Sequence, residues 1–380
     1  MTGNKRQLWR HRLRRAFRTP IRDWASEGAL RIRRRIFWER WRRGRAWLPY
    51  SIGLWLTEAC DLDCQMCWVR PGISGANHEE QALSKDQWCR VIDELAVWRP
   101  RLTITGGEPL LEPFAVDLVR YAANIGFRVN LGTNGTHLDS IADELVRSGL
   151  QDLSVSLDGP KDVHDRIRRK EGAFDAVREG VARLLEIRRR HHSTPLPYVR
   201  LNCTLTKANQ GNLREVVSLA QEWGVDSLSF QHLWSITPEI LHRHNDRFAQ
   251  VFQQESPNLS GFLVDGQAPD PITLAHELED LSAGQYRLPV YVYPNLDAAQ
   301  ILQFYQQPDM ALRNRCRSRW LRTDIKPNGD VTPCLSFVAG NLRQMAFSDI
   351  WNNSRYRMFR RQLLTGIFPG CHRCCGLFSD

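Results

Sequence analysis

Residues 54 to 68, Leu-Trp-Leu-Thr-Glu-Ala-Cys-Asp-Leu-Asp-Cys-Gln-Met-Cys-Trp, constrain this chain more than any other stretch. Cys60, Cys64 and Cys67 follow a short apolar strand in the spacing C-x3-C-x2-C. Four thiolates saturate a tetrahedral metal or an iron–sulfur cube, whereas three leave one position open, as a catalytic centre requires. On spacing alone the triplet also reads as a zinc knuckle closed by a distant fourth ligand. Ten cysteines without an apolar signal segment, in a chain with no stretch approaching the ~20 apolar residues of a membrane span, favour metal ligation in a reducing cytoplasm over disulfides.

The charge is concentrated at one end. Residues 1–50 carry 16 Lys or Arg against 3 Asp or Glu, a net +13, while the other 330 residues are close to neutral. This arm also holds Trp9, Trp24, Trp38, Trp41 and Trp47. Trp9, Leu13 and Phe17 fall on one helical face, and Ile32, Ile36, Phe37 and Trp41 form a second stripe among arginines. Arginine with Trp and Phe on amphipathic helices is the composition of an interfacial membrane segment, so peripheral contact with a membrane surface is one expectation. Packing on the body, an acidic partner and an organellar transit peptide remain open beside it. Nucleic acid is disfavoured, because the body carries no basic patch or known nucleic-acid module.

From residue 51 to 235 short strands alternate with helices, which predicts a parallel sheet with crossover helices. Strands are expected near 51–57, 101–105, 127–132, 151–157, 198–205 and 226–231, and helices near 84–98, 113–125, 138–147, 173–190 and 212–223. Each strand has one apolar and one small polar face, as in Leu153, Val155 and Leu157 against Ser154, Ser156 and Asp158. A sheet buried on both faces reads instead as continuous apolar runs. The pattern predicts a curved sheet with helices outside and a polar concave face around a ligand.

The cysteine triplet, with Met66 before its third member and Trp68 after it, resembles the signature of radical S-adenosylmethionine (SAM) enzymes. Gly106-Gly107-Glu108-Pro109 after the second strand resembles the family's GGEP motif, which engages the methionyl ammonium. Asn134 follows the third strand, Ser156-Leu157-Asp158-Gly159 closes the fourth and resembles the segment near the ribose and carboxylate, and Asn202 lies on the fifth. The resemblance implies a partial (βα)6 TIM-type barrel and a [4Fe-4S] cluster on Cys60, Cys64 and Cys67 whose open iron chelates SAM. It also implies reductive cleavage to a 5′-deoxyadenosyl radical, with a flavodoxin- or ferredoxin-type low-potential electron donor. Cys89 in a helix and Cys203 on an apolar strand face read as core thiols.

Residues 236–315 lose the periodicity and read as an insertion or linker, with helices near 272–282 and 297–307 and a short strand at 289–294. His232, His242, His244 and His276 read as surface histidines first and acid–base candidates second. Cysteines return at Cys316, Cys334, Cys371, Cys374 and Cys375, on a hairpin turning at Gly329 and in a loop after a helix near 348–364. This resembles the C-terminal auxiliary-cluster region of the SPASM/twitch subfamily, in the short form with one further [4Fe-4S] cluster. The small α+β domain of residues 316–380 would ligate it through Cys316, Cys334, Cys371 and Cys374, with Cys375 a spare or a substitute for Cys374. The same thiolates also suit a structural zinc. The resemblance leaves the substrate open among a small molecule or sugar, a lipid-linked molecule and a peptide. A cluster-bearing regulatory protein without turnover is the reading from another class.

Overall fold

Six strands stand where the alternation puts them: β1 (Ser51–Trp55), β2 (Arg101–Thr105), β3 (Val129–Thr133), β4 (Asp152–Ser156), β5 (Tyr198–Leu205) and β6 (Ser227–His232). They pair in sequence order, all parallel. The computed structural model describes residues 43–378 apart from 70–81, 192–195, 255, 257–258, 264–265 and 336. The arm helices expected before residue 42 lie outside these described residues. No helix among them is long and apolar enough to cross a membrane.

The apolar strand residues are buried and the intervening polar ones mostly half-buried, alternating without a break along β2 to β5. The buried face packs on α1 (Lys85–Leu95), α2 (Ala115–Ile125), α3 (Leu138–Arg147), α5 (Ala173–Arg190) and α6 (Leu213–Glu222). In α1 the buried Trp88, Val91, Ile92 and Leu95 follow helical spacing, and Ser84 and Gln87 form a reciprocal capping box at its start. Each such buried side chain contributes about 1.5–3 kcal/mol of transfer free energy. Within residues 51–235 one helix lies outside the expected set: α4 (Lys161–Arg168), between β4 and α5, with Val163, His164, Ile167 and Arg168 as its buried residues.

The sheet continues beyond the six strands on both sides. The segment expected as an insertion supplies α7 (Pro238–Phe252), α8 (Pro271–Ala283), β7 (Val290–Tyr293) and α9 (Ala298–Gln306), and β7 pairs parallel to β6. On the other side β8 (Arg322–Ile325) pairs parallel to β1 and starts the hairpin to β9 (Asp330–Thr332), which turns at Gly329 with φ +89° and is followed by β10 (Gly340–Asn341). The sheet order is β10-β9-β8-β1-β2-β3-β4-β5-β6-β7. The C-terminal cysteines therefore sit on chain that is hydrogen-bonded directly to the strand leading into the first triplet.

The surface assignment of two histidines is corrected here. His244 lies in the stripe Ile240, His244, Phe248 and Phe252 of α7 and is buried. Its Nδ1 accepts from the Gly370 amide at 3.2 Å and its Nε2 pairs with the Ser256 hydroxyl. His232 is buried against Phe304 and bonds the Tyr305 hydroxyl at 3.0 Å. Both act as core side chains held by hydrogen bonds inside the protein. His242 and His276 are exposed.

The single helix expected near 348–364 is two, α10 (Phe347–Trp351) and α11 (Ser354–Thr365), with Asn353 capping the second through the Tyr356 amide. Residues 44–47 run along this pair. Ala46 and Asn352 exchange two hydrogen bonds, and Arg360 donates to the Gly44 carbonyl.

Candidate cluster sites and the barrel mouth

The loop bearing Cys60, Cys64 and Cys67 leaves the C-terminal end of β1, where parallel sheets of this kind bind ligands. Neighbouring strand ends fix its shape. The Gly107 amide donates to Thr57 O at 2.9 Å and the Glu108 amide to Ala59 O at 2.8 Å. A β-carbon on Gly106 would stand 2.2 Å from Thr57 O, and one on Gly107 2.1 Å from Ala59 O. Glycine is required at both positions because the two backbones touch.

Asn134 Nδ2 reaches Asp61 Oδ1 at 2.7 Å and Cys60 Sγ at 3.8 Å. Asp61 also accepts from Thr136 and Lys170, each at 2.9 Å. Burial opposes its charge, but Lys170, Asn134 and Thr136 outweigh it and hold the carboxyl below its ordinary range. Burial pushes the Cys60 thiol up to about 11 and raises Cys64 as well. These are neutral thiols until a metal supplies the compensating charge.

The structure brings the predicted site residues together but changes the roles of Glu108 and Asp158. Glu108 is fully buried, and its carboxylate accepts from Leu110 N at 3.0 Å, Thr133 Oγ1 at 2.8 Å and Asn134 N at 2.6 Å. Burial pushes its carboxyl up to about 7 against those three donors. The side chain thus ties the GGEP turn to the β3 loop, and what it leaves to the mouth is the backbone of Gly106, Gly107 and Glu108; Pro109 opens the short 3-10 turn behind it.

Asp158 was expected beside Ser156 on the concave face. The strand ends at Ser156, so the two-residue alternation stops there and Asp158 turns inward, fully buried. Its Oδ1 accepts from the Thr204 amide at 3.0 Å, and its Oδ2 lies 2.6 Å from Arg168 NH2. Ser156 and Asn202 remain half-buried at paired positions of β4 and β5.

Arg168, which sequence reasoning missed, joins Asp158 to the cluster loop: its NH1 donates to Cys64 Sγ at 3.5 Å. The Gln65 amide bonds Ile167 O at 2.9 Å, so the end of α4 braces the same loop through its backbone. The usable signal was Val163, His164, Ile167 and Arg168 at helical spacing after Pro160. His164 accepts from the Asp158 amide at 3.1 Å and, with burial the main cause, titrates at about 4. Asn209, also missed, donates to the carbonyls of Asp158 and Thr204.

A second ion pair closes the mouth on the β8 side. Lys326 reaches Glu58 Oε1 at 3.0 Å and lies 3.6 Å over the Trp55 ring, while Trp68 packs edge-on to Trp55 and stacks on Phe262. Glu58 precedes Cys60 by two residues and Lys326 stands in the hairpin that leads to Cys334, so this contact joins the two cysteine-bearing segments.

Cys316, Cys334, Cys371 and Cys374 line one small pocket with Arg319, Phe359, Leu363, Phe368 and Leu377. Cys375 is exposed and does not line it. Among the described residues no three His, Cys, Asp or Glu side chains stand close enough to share a single ion. Four thiols around one pocket are the donor set of a four-iron cube, and equally of a structural zinc.

Two buried cations stand in this region. Arg319 and Arg360 are both buried, and no carboxylate lies within ion-pair distance of either among the described residues. Arg319 NH1 bonds Pro333 O at 2.5 Å; Arg360 bonds the carbonyls of Arg319 and Trp351, each at 2.9 Å. A guanidinium cannot shed its proton, so a buried one calls for negative charge nearby. For Arg319, which borders the four cysteines, a cluster held by four thiolates would supply it; Arg360 lies instead against the Tyr356 and Trp351 rings.

Comparison with known proteins finds a family model over each cysteine-bearing segment. The model of the radical SAM superfamily matches residues 56–199, and that of an iron–sulfur cluster-binding domain, SPASM, matches residues 316–375. The chain belongs to the radical SAM superfamily. Its cofactors are SAM and two [4Fe-4S] clusters.

Among curated relatives this radical SAM protein is 28% identical to an AdoMet-dependent heme synthase of Methanosarcina barkeri over 318 residues, 82% of this chain and 84% of the relative. It is 24% identical to a tungsten-containing aldehyde ferredoxin oxidoreductase cofactor-modifying protein of Pyrococcus furiosus, over 84% and 85% of the two chains. Among solved structures, Streptococcus suis SuiB bound to precursor peptide SuiA superposes with a TM-score of 0.60 at 15% identity, covering 83% of this chain and 67% of that one. Native anSMEcpe with bound AdoMet superposes at 0.53 and 15% identity, covering 82% of each. At these identities the structures establish the fold.

Proposed function

We propose that this chain is an enzyme that removes a hydrogen atom from a small-molecule substrate at the barrel mouth, with the C-terminal four-cysteine centre serving electron transfer. One observation carries the reading: two thiol sets, one of three and one of four, lie on segments joined by the pairing of β1 and β8 in a single sheet. When bound, the first cluster and SAM supply hydrogen-atom abstraction through reductive cleavage of the sulfonium. The chain's own groups hold and enclose that centre. Cys60, Cys64 and Cys67 would ligate it, Gly106 and Gly107 let the backbone approach, and Ser156 and Asn202 offer polar groups from the concave face. Asn134, Asp61, Asp158 and Arg168 keep the thiol loop in place.

Cys316, Cys334, Cys371 and Cys374 would hold the auxiliary cluster with no open iron. A closed ligand set suits electron transfer rather than substrate binding. Small-molecule chemistry is supported by relatives named as heme synthases and a cofactor-modifying protein, aligned over more than four-fifths of this chain. The likeness to peptide-bound SuiB extends to fold alone, which makes a peptide the second reading.

The test is a single-turnover assay of reconstituted protein with dithionite, SAM and deuterated candidates, comparing carboxylated tetrapyrroles with peptides. Deuterium in 5′-deoxyadenosine from a small molecule supports the reading. Transfer from peptides alone would replace it.

A further inference from the structure

The accessible lining of the four-cysteine pocket is apolar. Phe359, Leu363, Phe368 and Leu377 supply no polar atom to it, and among its lining residues Arg319 is the one that carries a charge. Arg319 follows Cys316 by three residues, in the 3-10 turn Ser318–Trp320 that leads into β8. It shares the lining of that pocket with Cys316, Cys334, Cys371 and Cys374. Pro333 O holds NH1 in place, one residue before Cys334. On the far side its NH2 lies close to Gly376, where a β-carbon would stand 2.8 Å from that nitrogen. The guanidinium is therefore wedged between the segments that bring three of the four cysteines. Behind it Arg360 donates to the Arg319 carbonyl, holds the Arg319 turn against α11 and lies over the rings of Tyr356 at 3.8 Å and Trp351 at 4.2 Å.

A fixed positive charge in a medium of low dielectric favours whichever state of its neighbour carries more negative charge. Reduction adds one electron to a cluster that is already net negative. Hydrogen bonds to the sulfurs, local net charge and solvent exposure are the levers by which a protein sets such a potential.

We propose that Arg319 is a positioning residue of the auxiliary centre that raises its reduction potential, making it the electron-accepting member of the pair. This rests on the assignment of Cys316, Cys334, Cys371 and Cys374 as its ligands. The other centre has its own buried guanidinium, Arg168, but that one is paired to Asp158, which offsets its charge. Arg319 forms no ion pair among the described residues, Asp324 acting on it only from beyond ion-pair distance, so its charge stands less compensated beside the four-cysteine site.

The experiment is a potentiometric titration, followed by electron paramagnetic resonance, of the full chain after anaerobic reconstitution. Iron is counted in the parent, Arg319→Gln and Arg319→Lys proteins. About eight irons in the parent are expected for two four-iron clusters; about four would overturn the ligand assignment itself, separately from the role of Arg319. With eight irons retained, Arg319→Gln should move the midpoint of the auxiliary signal to lower potential and leave the other signal where it was. Arg319→Lys, which keeps charge but loses the planar fork, should fall between. An unshifted auxiliary midpoint in fully loaded Arg319→Gln would overturn the proposal, as would equal shifts of both signals. If Arg319→Gln does not retain the cluster, Arg319→Lys decides. Retention there supports the charge requirement, and loss in both variants would mean that the bond to Pro333 matters rather than the charge.

Discussion

Replacing Cys64 by alanine is expected to abolish formation of 5′-deoxyadenosine and to reduce the iron content from about eight to about four per chain. Cys64 is buried, is the middle cysteine of the triplet, and is contacted by Arg168. Its loss leaves two thiols and a guanidinium facing an incomplete site. Cys334→Ala is the informative counterpart. It should lose the other set of irons while still cleaving SAM, because its segment meets the first site through the β1–β8 pairing and the Lys326–Glu58 contact and contributes no thiol there. Liquid chromatography of 5′-deoxyadenosine together with iron analysis of both variants checks this. Equal cleavage activity in Cys64→Ala and the parent would remove the triplet from the chemistry.

The second large effect is structural. Arg168→Met should lower stability by about 3–5 kcal/mol, because it leaves the Asp158 carboxylate buried without its counter-charge. The pair touches at 2.6 Å without the alignment of a good hydrogen bond, and Arg168 Nε finds no acceptor, so the attraction is mainly Coulombic. Removing both charges in Asp158→Asn/Arg168→Met should restore some of the loss, since the stranded charge goes with its partner. Denaturant unfolding of the apo forms of the four members of the cycle measures the coupling. Additive losses in the double variant would show that Asp158 and Arg168 do not support each other.

The fold was legible in the sequence to the extent that its cause is local. Period-two alternation put the polar face of β2 to β5 on one side, and the helices that cover the other face show their apolar stripes in the chain. The cysteine triplet and the motifs at successive strand ends were equally plain. Nonlocal pairing was not. Nothing in Val290–Tyr293 or Arg322–Ile325 says which edge of a sheet they will join, and the continuity of β7 and β8 with the barrel depends on contacts far apart in sequence.

Within the site the residue types were right where the backbone was regular. Ser156 and Asn202 lie where alternation puts them. Asp158 was misplaced because the strand ends two residues earlier. Glu108 was expected at the cofactor through the GGEP resemblance, and what sequence does not show is that three donors from its own turn and the β3 loop meet its oxygens. His244 was read as surface because it has no partner visible in sequence and the helix Pro238–Phe252 that buries it was not expected. Arg168 went unnoticed because a helix of eight residues with two aliphatic side chains shows little periodicity against its charged background. The question of Cys374 or Cys375 was one of side-chain direction, which adjacent cysteines cannot answer from sequence; the cavity wall contains Cys374.

The central claim is that one centre keeps an open iron and the other is closed by four thiolates. Electron paramagnetic resonance of the dithionite-reduced, fully loaded protein with and without SAM tests it most directly. Two cluster signals are expected, of which SAM perturbs one, the signal that disappears in Cys64→Ala, and leaves the other unchanged. A protein with about eight irons in which SAM perturbs neither signal, or perturbs the one lost in Cys334→Ala, would contradict it.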